Sequence, residues 1–419
     1  MGHMNNDTDL DGLFGALLSI YSIREFRVLF HGPDGCRKYF SMVSGLSNRN
    51  SEGLKGHPDE DDGVKIFGTS MSADDFFSDS SKKIRKSVDL IRKLTKDPVV
   101  ILPSPGASLL GVDYNNICAD YDNLLVIDSS FALKSFYEAF DETTLKMIKW
   151  LLPDKNKNRN NTVNIIGINP CSRCKDYFID ELTDLLKSMG IDVICCLGSD
   201  TSIKTIEDSV NASVNILISP EYGIKTAEYY KEVYGIPYIS DSDGAPVGFD
   251  SITSLVGKIT EVMHVSGTGP LNAISKAKKQ AYAGLMRNRG GEFDKIRYAI
   301  SGDVSIVLPL IKWLNRSFSM VPCSVSINQH DDGRYAAAVD SFLESIDCCD
   351  CLNAPLPDNV DLLISDKVYS KLFFASGGCR AYIGLDVLSS GIYDLMDRPI
   401  LGLQGTKFIL DTMINLPHT

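Results

Sequence analysis

What most constrains the fold of this chain is a unit that recurs from residue 98 onward. A short β-branched apolar run is followed by a turn rich in glycine, proline or serine, then by a segment with helical spacing. Pro98 to Leu102 leads to Ser104-Pro105-Gly106, and Val163 to Ile168 leads to Asn169-Pro170 and a helix over Tyr177 to Met189. Ile191 to Leu197 leads to Gly198-Ser199-Asp200, where Ser199 and Asp200 are suited to cap the next helix. Val214 to Ile218 leads to Ser219-Pro220 and a helix over Ala227 to Tyr234, while Ile296 to Ile300 leads to Ser301-Gly302-Asp303 and a helix through Trp313. Strands alternating with helices in this way predict parallel sheets covered by helices, an α/β fold of several Rossmann-like layers.

At 419 residues the chain is too long for one ordinary core, so two or three domains are expected. Asp154 to Thr162, dense in asparagine and lysine, reads as a first linker, and Arg287 to Asp294, with Gly290-Gly291, as a second. Hydrophobic residues make up 44% and charged residues 23%, as in soluble globular proteins. No apolar run approaches the roughly 18 residues that span a bilayer, and no signal-peptide pattern opens the chain. A cytoplasmic protein is expected. The net charge of −12 disfavours nucleic acid and anionic membrane as partners. His3 lies in Met1-Gly2-His3-Met4, which reads as a tag remnant, and is set aside.

The eleven cysteines point to thiols or metal ligands more than to a disulfide framework. Val28-Leu29-Phe30 runs into His31-Gly32-Pro33-Asp34-Gly35-Cys36, a turn that delivers a cysteine at the carboxyl end of an expected strand. Open α/β sheets place their chemistry there, thiolate is a soft ligand for iron or zinc, and glycine lets backbone approach a bulky group. Cys171-Ser172-Arg173-Cys174 lies between a strand and a helix, where it fits a redox pair, half of a metal site, or plain packing. Cys348-Cys349-Asp350-Cys351 could supply soft ligands, yet adjacent cysteines bind one ion poorly and no companion pair lies at zinc-finger spacing. Cys195-Cys196 read as strand packing. His57, His264 and His330 form no triad with any nucleophile, the acidic run Asp59 to Asp62 reads as a solvated loop, and the turns at Gly198 and Gly302 lack a nucleotide-binding glycine pattern.

Taken in order, these motifs resemble the nitrogenase component 1 superfamily over nearly the full chain. His31-Gly32-Pro33-Asp34-Gly35-Cys36 is similar to that family's first cluster-cysteine motif. Thr69-Ser70-Met71-Ser72-Ala73-Asp74-Asp75, followed by a lysine-rich helix, resembles its next block, and Ser108-Leu109-Leu110-Gly111-Val112-Asp113 the segment after the third strand. Gly198-Ser199-Asp200-Thr201 with Ile206-Glu207, and Tyr234-Gly235-Ile236-Pro237-Tyr238, are similar to the second domain, and Ser301-Gly302-Asp303 to the start of the third. Ile383-Gly384-Leu385-Asp386 through Asp397-Arg398-Pro399 to Leu401-Gly402-Leu403-Gln404-Gly405 resembles the end of the beta-type subunits.

The resemblance implies three Rossmann-like domains with mostly parallel sheets flanked by helices. They fall at residues 1–155, 156–290 and 291–419, with the C-terminal helix packing back on the first. It also implies a [4Fe-4S] or related cluster shared across a subunit interface, electrons from an ATP-dependent iron protein, and either a second component-1-like subunit or a homodimer. Cys36 is the position carried over as an iron–sulfur ligand, with Gly32, Pro33 and Gly35 beside the cofactor; Cys118, Cys171 and Cys174 are weaker metal candidates. The chain also departs from the alpha-type pattern. Pro105 stands near a later cluster cysteine, Ser219 near the residue anchoring the large catalytic cofactor, and Ser78-Asp79-Ser80 where a glycine pair is expected. This is the pattern of a beta-type or assembly-scaffold subunit. A four-iron cluster normally takes four protein ligands, and two copies of Cys36 supply half of them. The count favours a partner chain over completion by Cys118 or by the carboxylates of Asp59 to Asp62. The implied function is a subunit of a nitrogenase-like oxidoreductase that passes low-potential electrons to a bound substrate. The alternatives are a non-catalytic scaffold for metal-cofactor assembly and a diverged, cluster-free interaction partner.

Overall fold

The structure is a computed structural model that describes residues 11–35, 65–127, 134–152, 161–289, 293–328, 334–386 and 396–416. Cys36, His57, Asp59 to Asp62, His330, Gly290-Gly291 and nearly all of the first linker lie outside the described residues.

Among the described residues three four-stranded sheets follow one another along the chain. The first holds β1 (Arg27–His31), β2 (Ile66–Gly68), β3 (Val99–Pro103) and β4 (Leu124–Val126) in the order β2-β1-β3-β4. The second holds β5 (Thr162–Ile166), β6 (Asp192–Cys196), β7 (Val214–Leu217) and β8 (Tyr238–Ile239) in the order β6-β5-β7-β8. The third holds β9 (Tyr298–Asp303), β10 (Pro322–Asn328), β11 (Val360–Ser365) and β12 (Cys379–Gly384) in the order β10-β9-β11-β12. Every strand pairing within these three sheets is parallel. Parallel strands need crossover connections, and helices fill them, which is the α/β architecture with three helix-flanked sheets that the alternation predicts. In each sheet the strand order reverses beside the first strand, so β1, β5 and β9 each end at a switch point where such folds bind ligands.

The helix Gly12–Tyr21, nearly all buried, packs along the helix Phe136–Leu151. Gly15 sets their approach: a Cβ there would lie 2.1 Å from the Phe136 carbonyl oxygen. One apolar core, from Leu13 and Phe14 to Cys195 and Tyr230, joins the first and second sheets. Another, from Val163 to Leu416, joins the second and third.

Two local expectations are corrected. The helix after β6 begins at Ile203, capped by the Ser202 hydroxyl, which accepts the Thr205 N–H at 3.2 Å, and neither Ser199 nor Asp200 is its cap. Thr201 is pinned first, exchanging main-chain hydrogen bonds with Ser22 (2.8 Å) and Arg24 (2.9 Å), so the chain stays extended through it. The C-terminal helix Gly402–Ile414, expected against the first domain, packs on the helices Gly248–Met263, Thr268–Arg289 and Lys175–Ser188. Its Ile409, Leu410 and Met413 enter the core between the second and third sheets. Glu181 fixes its start by accepting the N–H groups of Leu403 (2.6 Å) and Gln404 (3.2 Å).

Candidate functional site

The turn after β1 is built on a buried histidine. His31 ends the strand with its ring enclosed: Nδ1 lies 3.0 Å from the Thr69 hydroxyl and Nε2 3.2 Å from that of Ser80. Burial, reinforced by the Lys83 ammonium and opposed by Asp75, lowers the ring's pKa to about 4, so it is neutral at neutral pH. Gly32 follows in a space with no room for a side chain, since a Cβ would lie 2.7 Å from the Phe30 ring and 2.8 Å from Ser104. The Gly32 carbonyl accepts the Met71 N–H at 3.0 Å, and the Asp34 carboxylate accepts the Ser70 hydroxyl at 2.7 Å. Pro33 and Asp34 are half-buried and Gly35 is exposed, with nothing within 4 Å of an added Cβ. The turn thus climbs from the core to open surface one residue before Cys36.

Beside it, Ser104 caps the short helix Pro105–Ser108, with Pro105 in the first turn. Phe77 and Leu109 are 91% and 87% exposed, an unusual state for large apolar side chains at the end of a sheet. Cys118 sits on the helix Tyr114–Ala119, half-buried against the core around Leu29, Val88 and Ile101. Burial raises its pKa and favours the thiol over the thiolate a metal requires.

The second switch point holds Cys171 and Cys174. Cys171 is buried in the core between the first two sheets, and burial together with the charges of Asp386 and Asp303 drives its pKa well up. Cys174 takes a left-handed conformation at the start of the helix Lys175–Ser188, and its sulfur accepts the Arg398 N–H at 3.4 Å. The structure does not bring these cysteines together with Cys118: among the described residues no three histidine, cysteine or carboxylate side chains gather as a metal site. Cys195 is buried on β6 beside the Thr201 hydroxyl at 3.5 Å, a packing position. Cys348 and Cys351 form a disulfide, against the expectation of free thiols, because the 3₁₀ turn Cys349–Cys351 carries them to the same side.

Sequence reasoning missed a third constellation, where the carboxyl ends of the second and third sheets meet. Asp303 accepts from Asn169 Nδ2 (2.9 Å), the Tyr222 hydroxyl (3.0 Å) and Asn328 Nδ2 (3.2 Å). Glu221 reaches across in the other direction, accepting the Ser305 N–H at 2.8 Å. Burial, with the Asp303 charge beside it, raises the Glu221 pKa. Arg173 donates from its guanidinium to the Gly384 carbonyl at 3.4 Å and lies 4.8 Å from the Phe408 ring centroid. The only sequence signal was positional, since Ser219-Pro220 and Ser301-Gly302-Asp303 both follow β-branched apolar runs.

Residues 12–416 match the family described as nitrogenase component 1 type oxidoreductase. The chain belongs to this family. Among curated relatives of this nitrogenase component 1 protein are the B subunits of light-independent protochlorophyllide reductase. Those of Huperzia lucidula and Angiopteris evecta are 21% and 23% identical, with 96% of this chain and 81% of each relative covered. That of Crocosphaera subtropica is 24% identical over 61% of this chain and half of its own length. A solved structure described as nitrogenase Cp1 at pH 6.5 has the same fold, with a TM-score of 0.76 at 16% identity over 96% of this chain and 91% of its own. Within this component 1 chain, Gly35 follows the switch point of the first sheet, and Ser219, buried just after β7, lies beside that of the second, its N–H on the Gly167 carbonyl at 3.0 Å.

Proposed function

We propose that this protein is the beta-type subunit of a nitrogenase-like reductase, which with a second component-1-like chain holds an iron–sulfur cluster at their interface. The observation that carries this reading is the β1 turn, fixed from beneath by His31 and rising through Gly32, Pro33 and Gly35 to the surface just before Cys36. A turn that reaches open surface at Gly35, with a cysteine next in the sequence, suits a site shared between chains, and the exposed Phe77 and Leu109 supply an apolar rim. A bound cluster would supply one-electron transfer at low potential. Cys36 would hold it, Gly32 and Gly35 would let backbone approach it, and the buried Cys171 and the half-buried Cys118 and Cys174 would take no part. An ATP-dependent iron protein would be the electron donor. The relatives from protochlorophyllide reductase favour a conjugated tetrapyrrole as the substrate class over dinitrogen, as does Ser219 in place of a cofactor-anchoring cysteine.

The test is anaerobic co-purification with the neighbouring component-1-like chain, followed by iron and acid-labile sulfide analysis and electron paramagnetic resonance. Wild type should carry the cluster and Cys36→Ala should lose most of its iron while keeping its circular dichroism. Unchanged iron in Cys36→Ala removes the ligand assignment. Reduction of a tetrapyrrole that needs both ATP and the iron protein separates a reductase from an assembly scaffold.

A further inference from the structure

The Cys348–Cys351 disulfide takes no part in the proposed reductase site. It closes a Cys-x-x-Cys segment that follows the helix Arg334–Ser345, with Cys348 buried, Cys351 half-buried and Cys349 exposed. Main-chain hydrogen bonds hold this segment, and both sulfurs lie against the Pro322 carbonyl oxygen, at 3.4 Å for Cys348 and 2.9 Å for Cys351. Cys348 N–H donates to the Leu343 carbonyl at 2.9 Å, Cys351 N–H to that of Cys348 at 3.1 Å, and Asn353 N–H to that of Val325 at 2.7 Å. The Ser324 hydroxyl adds a bond to the Ala354 carbonyl at 2.7 Å. The two Cα atoms are held 5.6 Å apart, inside the span a disulfide requires, so joining or parting the sulfurs asks for side-chain rotation and little backbone movement.

The segment also has a structural task. β10 is an edge strand of the third sheet, and Leu352 bridges Val325 on it, covering an edge that would otherwise present open hydrogen-bonding groups. The disulfide fastens that cover at its start. The stretch from Glu344 to Pro357 carries three carboxylates, those of Glu344, Asp347 and Asp350, and neither lysine nor arginine. An approaching reagent meets negative charge.

We propose that Cys348 and Cys351 form a reversible dithiol–disulfide couple, a modification site that exchanges with small cationic disulfides of the aminothiol class. In the oxidising direction the Cys351 thiolate, the more accessible of the two, attacks one sulfur of the external disulfide. One aminothiol leaves as thiolate and takes a proton, and a mixed disulfide remains on Cys351. The Cys348 thiolate then attacks the Cys351 sulfur and expels the second aminothiol. Two protein thiols lose two electrons and two protons, and one external disulfide becomes two thiols. Reduction by a dithiol runs the same steps backwards. The acidic segment favours a cationic reagent over an anionic one such as oxidised glutathione, and added salt should narrow that preference.

The experiment uses the full chain carrying Cys349→Ser, which removes the exposed bystander thiol. The protein is reduced anaerobically, treated with cystamine, blocked with N-ethylmaleimide, and read by peptide mass spectrometry. The expected peptide is lighter by two hydrogens and free of both maleimide and cysteamine. Dithiothreitol should restore both thiols with circular dichroism unchanged throughout. Adding Cys348→Ser should trap one cysteamine on Cys351, since no resolving thiol remains. Cystamine should react several-fold faster than oxidised glutathione at low salt. Maleimide on both cysteines after treatment, cysteamine retained on the intact pair, or no adduct on Cys351 in the Cys348→Ser protein would overturn the proposal. None of these readouts depends on iron or on turnover, so failure here leaves the reductase reading untouched.

Discussion

At the scale of single residues, the site rests on groups whose chemistry is set by burial more than by identity. His31 is a titratable ring held neutral in the fold, with a pKa of about 4 against an ordinary 6.5. Between these values the unfolded chain takes up a proton that the folded chain refuses. The stability this neutral ring contributes is fully present above pH 6.5 and is lost as pH falls towards 4, by about 3 kcal/mol in all. His31→Asn keeps hydrogen-bonding capacity for Thr69 and Ser80 but cannot titrate. Urea denaturation from pH 7 down to pH 4 should show the wild type losing stability faster than the variant, and parallel curves would contradict this account. The histidine was legible in the sequence as part of a motif. Its burial was not, because the hydroxyls around it come from Thr69 and Ser80, far along the chain.

At the scale of elements, the helices hold one another by their ends. Asp141, buried on the helix Phe136–Leu151, accepts the N–H of Lys225 at 2.8 Å and both the N–H (3.2 Å) and the hydroxyl (2.6 Å) of Thr226. It thereby caps the helix Ile224–Tyr234, which belongs to the second sheet, from a helix that follows the first. Burial raises the Asp141 pKa to about 6 even against these donors. Asp141→Ala would leave the donors unmatched in the interior and should cost about 2 to 4 kcal/mol, read as a lower chemical-denaturation midpoint. Asp141→Asn, which keeps one acceptor, should cost less. Glu181 does the same for the C-terminal helix, whose Ile409, Leu410 and Met413 seat it between the second and third sheets. Strands such as Val214–Leu217 could be read from β-branched runs alone. Helix starts could not, since Ser199 and Asp200 had cap chemistry but Thr201 was already committed to partners near Ser22.

At the scale of the whole molecule, Tyr222 shows how the three sheets are tied. Its ring lies edge-on to Phe136, Tyr137 and Phe140 at 6.1, 5.2 and 5.9 Å, on a helix that follows the first sheet, while its hydroxyl donates to Asp303 on the third. The same scale bears on partners. Phe77 and Leu109 stand in solvent beside the β1 turn, and the proposed second subunit would cover them. The double variant Phe77→Glu with Leu109→Glu should fold normally yet fail to co-elute with that subunit on size exclusion, because two buried carboxylates without partners oppose association. Retained co-elution would place the interface elsewhere. By itself the sequence determined the layer type, the repeated strand–turn–helix unit and the family, because these depend on local periodicity and on motifs contiguous in the chain. Only the tertiary structure decided that His31 is buried beneath its turn and that Glu221 and Asp303 meet across two sheets. It alone decided, too, that Cys171 is shut inside a core, that Cys118 lies half-buried against another, and that the last helix belongs with the later sheets. Each of these depends on which distant segments pack together, and burial and charge coupling are properties of that packing.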